Sequence, residues 1–182
     1  TSQSLTVTGS NGSGKSTLIK VIANLIHSSK GNISVKSDNM DVPRDKWFEK
    51  TGLLSPYLNL YDELTGFENL DFFYRLKAKD GSDSHGRIDH VLHKVNLYEK
   101  RNEQLKNYSS GMKQKLKLAF AVLHEPEILL LDEPRSNLDK AGIDMIYEVS
   151  AEQKEKGILI IATNDEDDKE LCDNILSIED YK

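Results

Sequence analysis

Gly9-Ser-Asn-Gly-Ser-Gly-Lys-Ser-Thr17 is the stretch that decides the fold of this 182-residue chain. It fits the pattern G-x-x-x-x-G-K-[ST] and lies between an apolar run at residues 5–8 and a helical pattern at 16–27, the strand-loop-helix context the pattern requires. Gly9, Ser10, Asn11, Gly12, Ser13 and Gly14 predict a loop whose backbone N–H groups converge on one phosphate chain. The helix that follows, opened by Lys15, Ser16 and Thr17, adds the positive end of its dipole. Lys15 is placed to neutralise the outer phosphates and Ser16 to ligate Mg²⁺ through its hydroxyl. A glycine-rich turn that contained Lys-Ser by chance would lack these flanking elements.

Outward from the loop, Leu18, Ile22, Leu25 and Ile26 share one face of the predicted helix, and Gly31 supplies its stop signal. Short apolar runs at 33–35, 128–131, 158–161 and 175–178 alternate with helical patterns, which predicts an α/β domain with a largely parallel sheet. Between 65 and 123 the pattern changes: Phe67, Leu70, Phe73 and Tyr74, then Ile88, Val91, Leu92 and Val95, repeat at helical spacing with no strand-like run. This segment reads as a helical insertion, and the turn formers at 80–86 as a surface connector within it.

A second motif, Ile128-Leu-Leu-Leu-Asp-Glu-Pro134, is a buried strand that delivers two adjacent carboxylates at its C-terminal edge, where open parallel sheets bind ligands. Asp132 suits the hydration shell of Mg²⁺, and Glu133 suits orienting and deprotonating an attacking water. A third, Tyr108-Ser-Ser-Gly-Met-Lys-Gln114, precedes an apolar helix and taken alone is a serine-rich helix cap. With Ser136-Asn-Leu-Asp139 after it, the ordered set resembles the ABC ATPase family: P-loop, LSGGQ-like signature, Walker B and D-loop, over nearly the whole chain.

The resemblance implies a P-loop NTPase (RecA-like) core at 1–64 and 124–182 and a helical, signature-bearing subdomain at 65–123. It also implies ATP as ligand and a head-to-tail dimer in which Ser109, Ser110 and Gly111 of one subunit cap the nucleotide held by the other. Uncharged donors at a helix N-terminus suit a terminal phosphate. The tract 60–70 and Gly111-Met112-Lys113 look most like ATPases of ABC-2-type exporters, with haem- and drug-exporter systems similar. The expected role is the ATP-hydrolysing motor of an exporter, cytoplasmic and bound to the inner face of the membrane through permease subunits. Alternatives are a non-transport ABC ATPase and a nucleotide-gated clamp that hydrolyses poorly.

Three departures from the family pattern stand out. A glutamine is expected just before the helical insertion, yet 52–58 reads Gly-Leu-Leu-Ser-Pro-Tyr-Leu; Ser55 could reach the metal through a water and Tyr57 could face a partner. After the run at 158–161 a switch histidine is expected, and Asn164 stands there, able to donate a hydrogen bond but not to carry a proton or charge. An aromatic residue that stacks on adenine would precede Thr1; the chain reads as cut just before a strand, without its natural N-terminal segment.

Bulk properties fit this reading. Lys and Arg number 24 against 30 Asp and Glu, a net charge of −6 that argues against a nucleic-acid partner. No apolar run approaches the ~20 residues that span a bilayer. The single cysteine, Cys172, excludes an internal disulfide and reads as packing, in keeping with a reducing cytosol. His90 and His93 lack further ligands at metal-site spacing, the acids at 165–168 read as helix-opening residues, and Arg135, Lys113, Lys115 and Lys117 read as solvated.

Overall fold

The computed structural model describes residues 3–77 and 84–181. In chain order the elements are β1 (Gln3–Thr8), α1 (Lys15–Ile22), β2 (Lys36–Ser37), β3 (Met40–Asp41), α2 (Trp47–Lys50), β4 (Thr51–Leu54), α3 (Gly66–Lys77) and α4 (Ser84–Lys94). Then follow α5 (Ser110–Val122), β5 (Ile128–Asp132), α6 (Lys140–Lys156), β6 (Ile158–Ala162), α7 (Glu166–Lys169) and β7 (Asn174–Ser177). Five strands form one parallel sheet in the order β4-β5-β6-β1-β7.

All five residues of β5 are buried, as expected of a strand covered on both faces. Its side chains alternate: Leu129 and Leu131 join a core with Leu159, Ile161, Ile146 and the helices of the insertion, while Ile128 and Leu130 face Val7, Ile19 and Trp47. The result is a sheet between two apolar layers. The register sets Val7 and Asp132 opposite Ala162 from either side, so the segments after β1, β5 and β6 leave the sheet at one level. That shared edge brings three distant stretches of sequence together.

Between β4 and β5 the described regular elements are helices with short 3₁₀ turns; α3, α4 and α5 pack on one another, and α5 on β4. Thr65 and Glu68 cap α3 reciprocally: Glu68 N–H donates to Thr65 Oγ1 at 3.1 Å, and Thr65 N–H to Glu68 Oε2 at 2.8 Å. Asn69, fully buried, accepts from Tyr61 N–H at 2.8 Å and donates to the carbonyls of Tyr61 and Thr65, which fixes the approach to the helix.

The structure corrects several expectations. Strand β4 has no counterpart among the predicted runs, because Gly52 interrupts it and only two leucines remain to mark it. Glycine is required there: a Cβ would lie 2.0 Å from the Ala121 carbonyl oxygen and 2.8 Å from Pro126 Cγ. Gly52→Ala should therefore destabilise the fold by about 3 kcal/mol, read from the shift of a denaturant midpoint at constant slope. The run at 33–35 is not a strand; the next two residues pair antiparallel with β3 through a turn in which Asp38 and Asn39 both have positive φ, outside the main sheet.

Helix α1 ends at Ile22 rather than near His27. Asn24 is left-handed, Leu25 N–H donates to Lys20 O and Asn24 N–H to Val21 O, a C-terminal cap with Asn where Gly is commoner. Leu25 and Ile26 lie beyond it, exposed. The connector expected at 80–86 is helical from Ser84, and 80–83 lie outside the described residues.

Candidate functional site

The loop from Gly9 to Gly14 curls through backbone conformations that side chains resist: Gly12 and Gly14 have φ of 80° and 112°, and a Cβ at either would meet nothing within 4 Å. Their open sides line a cleft of about 340 Å³ with Asn11, Lys15, Ser16, Thr17, Pro56, Tyr57 and Glu133. Ser13 N–H closes the loop on Ser10 O at 3.0 Å, and Ser10 N–H donates to Glu179 Oε1 at 3.0 Å. Gly9, Ser10 and Ser13 thus build the frame, and Asn11, Gly12, Gly14 and Thr17 the lining.

Lys15 is 5% exposed, and its ammonium donates to Gly9 O at 2.7 Å, to Ser10 O at 3.3 Å and to Asn164 Oδ1, with Glu133 Oε1 at 3.8 Å. One cation therefore meets groups from three segments of the sheet edge. Ser16 Oγ donates to Asp132 Oδ1 at 3.0 Å, and Ser55 Oγ to Asp132 Oδ2 at 3.3 Å. Burial pushes the Asp132 carboxyl above its usual range against the pull of the two hydroxyls, Lys20 and Lys15. A hydroxyl and a carboxylate side by side are hard oxygen donors, a set that fits Mg²⁺.

Glu133 leaves the strand in a left-handed conformation, φ 48°, and its N–H donates to Ala162 O at 2.8 Å. A residue other than glycine held there stores about 1–3 kcal/mol of strain, of the kind concentrated at functional sites. Burial raises its carboxyl above the usual glutamate range; Asp132 and Asp168 push the same way, while Lys15 and a hydrogen bond from the Asn164 backbone oppose them. Asn164 meets both ends of this group: its side chain accepts from Lys15 and donates to Asn11 Oδ1, and its backbone bonds Glu133.

The predicted signature residues lie elsewhere. Ser109 is the N-cap of α5, accepting from Met112 N–H at 3.2 Å; Ser109 and Ser110 are exposed, and neither they nor Gly111 line the cleft at the loop. Gly111 packs under the Asn137 carbonyl, which a Cβ would approach to 2.9 Å, and Gln114 donates to Pro134 O at 3.1 Å. The signature helix is thus tied to the segment that follows Glu133.

Ser55 bonds Asp132 directly, a link across 77 residues that no local pattern announces. Tyr57 stands at the cleft mouth with Lys20 Nζ 3.8 Å from its ring centroid. The solvated reading of Arg135 is overturned: its side chain is 19% exposed and ion-paired to Asp165, Asp167 and Asp168. Lys113 pairs with Asp62 and Lys115 with Asp139, and Lys117 donates to Pro56 O, so these lysines brace loops. Among the described residues no group of three His, Cys, Asp or Glu is disposed to hold a metal ion, and no helix is long and apolar enough to cross a membrane.

Comparison with known proteins adds three findings. A family profile described as ABC transporter matches residues 1–136. An uncharacterised ABC transporter ATP-binding protein of Bacillus subtilis is 35% identical over 175 residues, and the linearmycin resistance ATP-binding protein of the same organism is 32% identical over 175. These alignments cover 94% and 95% of this chain but 56% of either relative, so the chain spans little more than half their length. Among solved structures, a dimeric ATP-binding cassette in a post-hydrolysis state with ADP and Pi superposes with a TM-score of 0.85 at 23% identity, covering 97% of this chain and 81% of that one, a likeness of fold.

Proposed function

This chain belongs to the ABC transporter family, and on that premise we propose that it binds and hydrolyses ATP with Mg²⁺ as the motor of a membrane transporter. The observation that carries the proposal is the convergence of Lys15, Ser16, Asp132, Glu133 and Asn164 at one edge of the parallel sheet. Loop N–H groups and Lys15 bind the phosphates; Ser16 and Asp132 would hold Mg²⁺, whose charge would offset that of the phosphates. Glu133 orients and deprotonates water, and Asn164 donates to the terminal phosphate.

We further assign Ser109, Ser110 and Gly111 to the nucleotide of a second ATPase subunit. The exposure of Ser109 and Ser110 at a helix N-terminus supports this, as does the place of all three outside their own subunit's cleft. The core at 1–64 and 124–182 then supplies one half of a site, and the helical subdomain at 65–123 the other half of its neighbour's. ATP joins the subunits and hydrolysis releases them.

A permease partner and a cytoplasmic position at the membrane complete the reading. In support, an apolar cleft of about 430 Å³ exposes Leu25, Phe48 and Leu76 by 62%, 55% and 66%. It reaches Leu58, whose N–H donates to the carbonyl of Ser55, the residue that bonds Asp132. A helix of the permease seated there would lie a few bonds from the metal ligands. Export is the favoured direction, on the likeness of tract 60–70 and on the resistance named for one relative.

The test is Mg²⁺-dependent ATP hydrolysis by the full-length protein with dimerisation followed in the same samples. Turnover with an ATP-dependent dimer supports the motor. Binding and dimerisation without turnover would replace it with a nucleotide-gated clamp, a reading that Asn164 in the switch position favours. Asn164→His should raise turnover by roughly 10-fold and add to the pH profile the titration of an imidazole, whose unperturbed pKa is about 6.5. An unchanged rate would show that the asparagine does not limit hydrolysis.

A further inference from the structure

Arg135 follows Glu133 by two residues and turns back toward the segment that carries Asn164. Its guanidinium Nη1 lies 2.8 Å from Asp165 Oδ1, 3.3 Å from Asp167 Oδ2 and 3.6 Å from Asp168 Oδ1, with its carbon 5.9 Å from the Tyr147 ring centroid. The Asp168 side chain is 1% exposed. Its other oxygen accepts from Thr163 Oγ1 at 2.8 Å, and that hydroxyl in turn accepts from Asp165 N–H at 3.0 Å. The turn is therefore tied within itself, yet it gathers three carboxylates in a small, partly buried space. Arg135 is the cation that faces all three.

Asn164 sits inside this turn, bonded to Lys15 and Asn11 through its side chain and to Glu133 through its backbone. A displacement of the turn would loosen all three contacts. We propose that Arg135 is a positioning residue, an ionic clamp that holds the Asn164 turn against the Glu133 end of β5 in the geometry hydrolysis requires. The proposal rests on the site reading above, since it assumes that Glu133 and Asn164 act on the nucleotide.

The experiment compares Arg135→Met, Arg135→Lys, Asn164→Ala, the Arg135→Met/Asn164→Ala double variant and Glu133→Gln in the full-length protein, by ATPase kinetics and by thermal melting. Arg135→Met should lower kcat by about 10-fold or more with KM for ATP within about 2-fold of native, since the clamp places groups and does not bind phosphate. Arg135→Lys should recover part of the rate, and its kinetics carry the test should the methionine variant not fold. In the Asn164→Ala background the methionine change should cost little more. Equal losses with and without Asn164, no recovery by Arg135→Lys, or native kcat beside an inactive Glu133→Gln would overturn the clamp alone. Full turnover by Glu133→Gln would remove the site reading and the clamp with it.

Discussion

Glu133→Gln should lower ATP turnover by about 10²–10⁴-fold while leaving ATP binding intact, and should accumulate an ATP-bound dimer. The amide fills the same space beside Lys15 and can still accept the Asn164 backbone bond, so positioning survives and only the proton acceptor is lost. The same variant should also melt higher than native at neutral pH. Burial, helped by Asp132 and Asp168, holds this carboxyl above its unfolded value. A carboxyl raised on folding favours the native state below the unfolded pKa, and that contribution is lost as pH rises through the folded one. At neutral pH the charge is therefore a cost, and a neutral amide removes it. Greater stability with less activity is the mark of a residue kept for function. A variant that still turned over, or that melted lower, would count against Glu133 as the base.

The parts of the site are not equally legible in the chain's letters. The loop at 9–17 and the strand that ends in Asp132 and Glu133 are legible because each is local: a glycine spacing, and an apolar run buried on both faces. What local pattern conceals is pairing across the sheet edge. The sequence offers Ser55 only an approach to the metal through a water, but β4 lies beside β5, so its hydroxyl falls directly on Asp132. Arg135 looked solvated because the stretch around it is polar; its acids come from beyond β6 and close over it only when the sheet is assembled. The apolar pattern carries α1 too far for the opposite reason. Leu25 and Ile26 extend the apolar stripe, while the signal that stops the helix is a left-handed asparagine, a weaker cue than glycine. The role proposed for Ser109, Ser110 and Gly111 has no expression within one subunit, since none of the three lines its own cleft.

Lys15→Met should weaken ATP binding by about 10–150-fold, the equivalent of one or more charge-assisted hydrogen bonds at about 1.5–3 kcal/mol, read by calorimetry with and without Mg²⁺. Lys15→Arg should not restore it, because the ammonium sits between the Gly9 and Ser10 carbonyls at 2.7 and 3.3 Å, a space for a compact point charge rather than a planar fork. The loss extends to the fold. Lys15 is the cation nearest Glu133 at 3.8 Å and also draws on Asp132, so its removal leaves two adjacent, part-buried carboxylates facing each other. Lys15→Met should therefore melt lower than native, and Glu133→Gln should return part of that stability by removing one of the two charges. A double-mutant cycle on melting free energies should then give a coupling of about 0.5–3 kcal/mol between positions 15 and 133. Additive effects would mean that the ammonium serves the loop carbonyls alone, and that the pairing of Lys15 with Glu133 carries no weight in holding the site together.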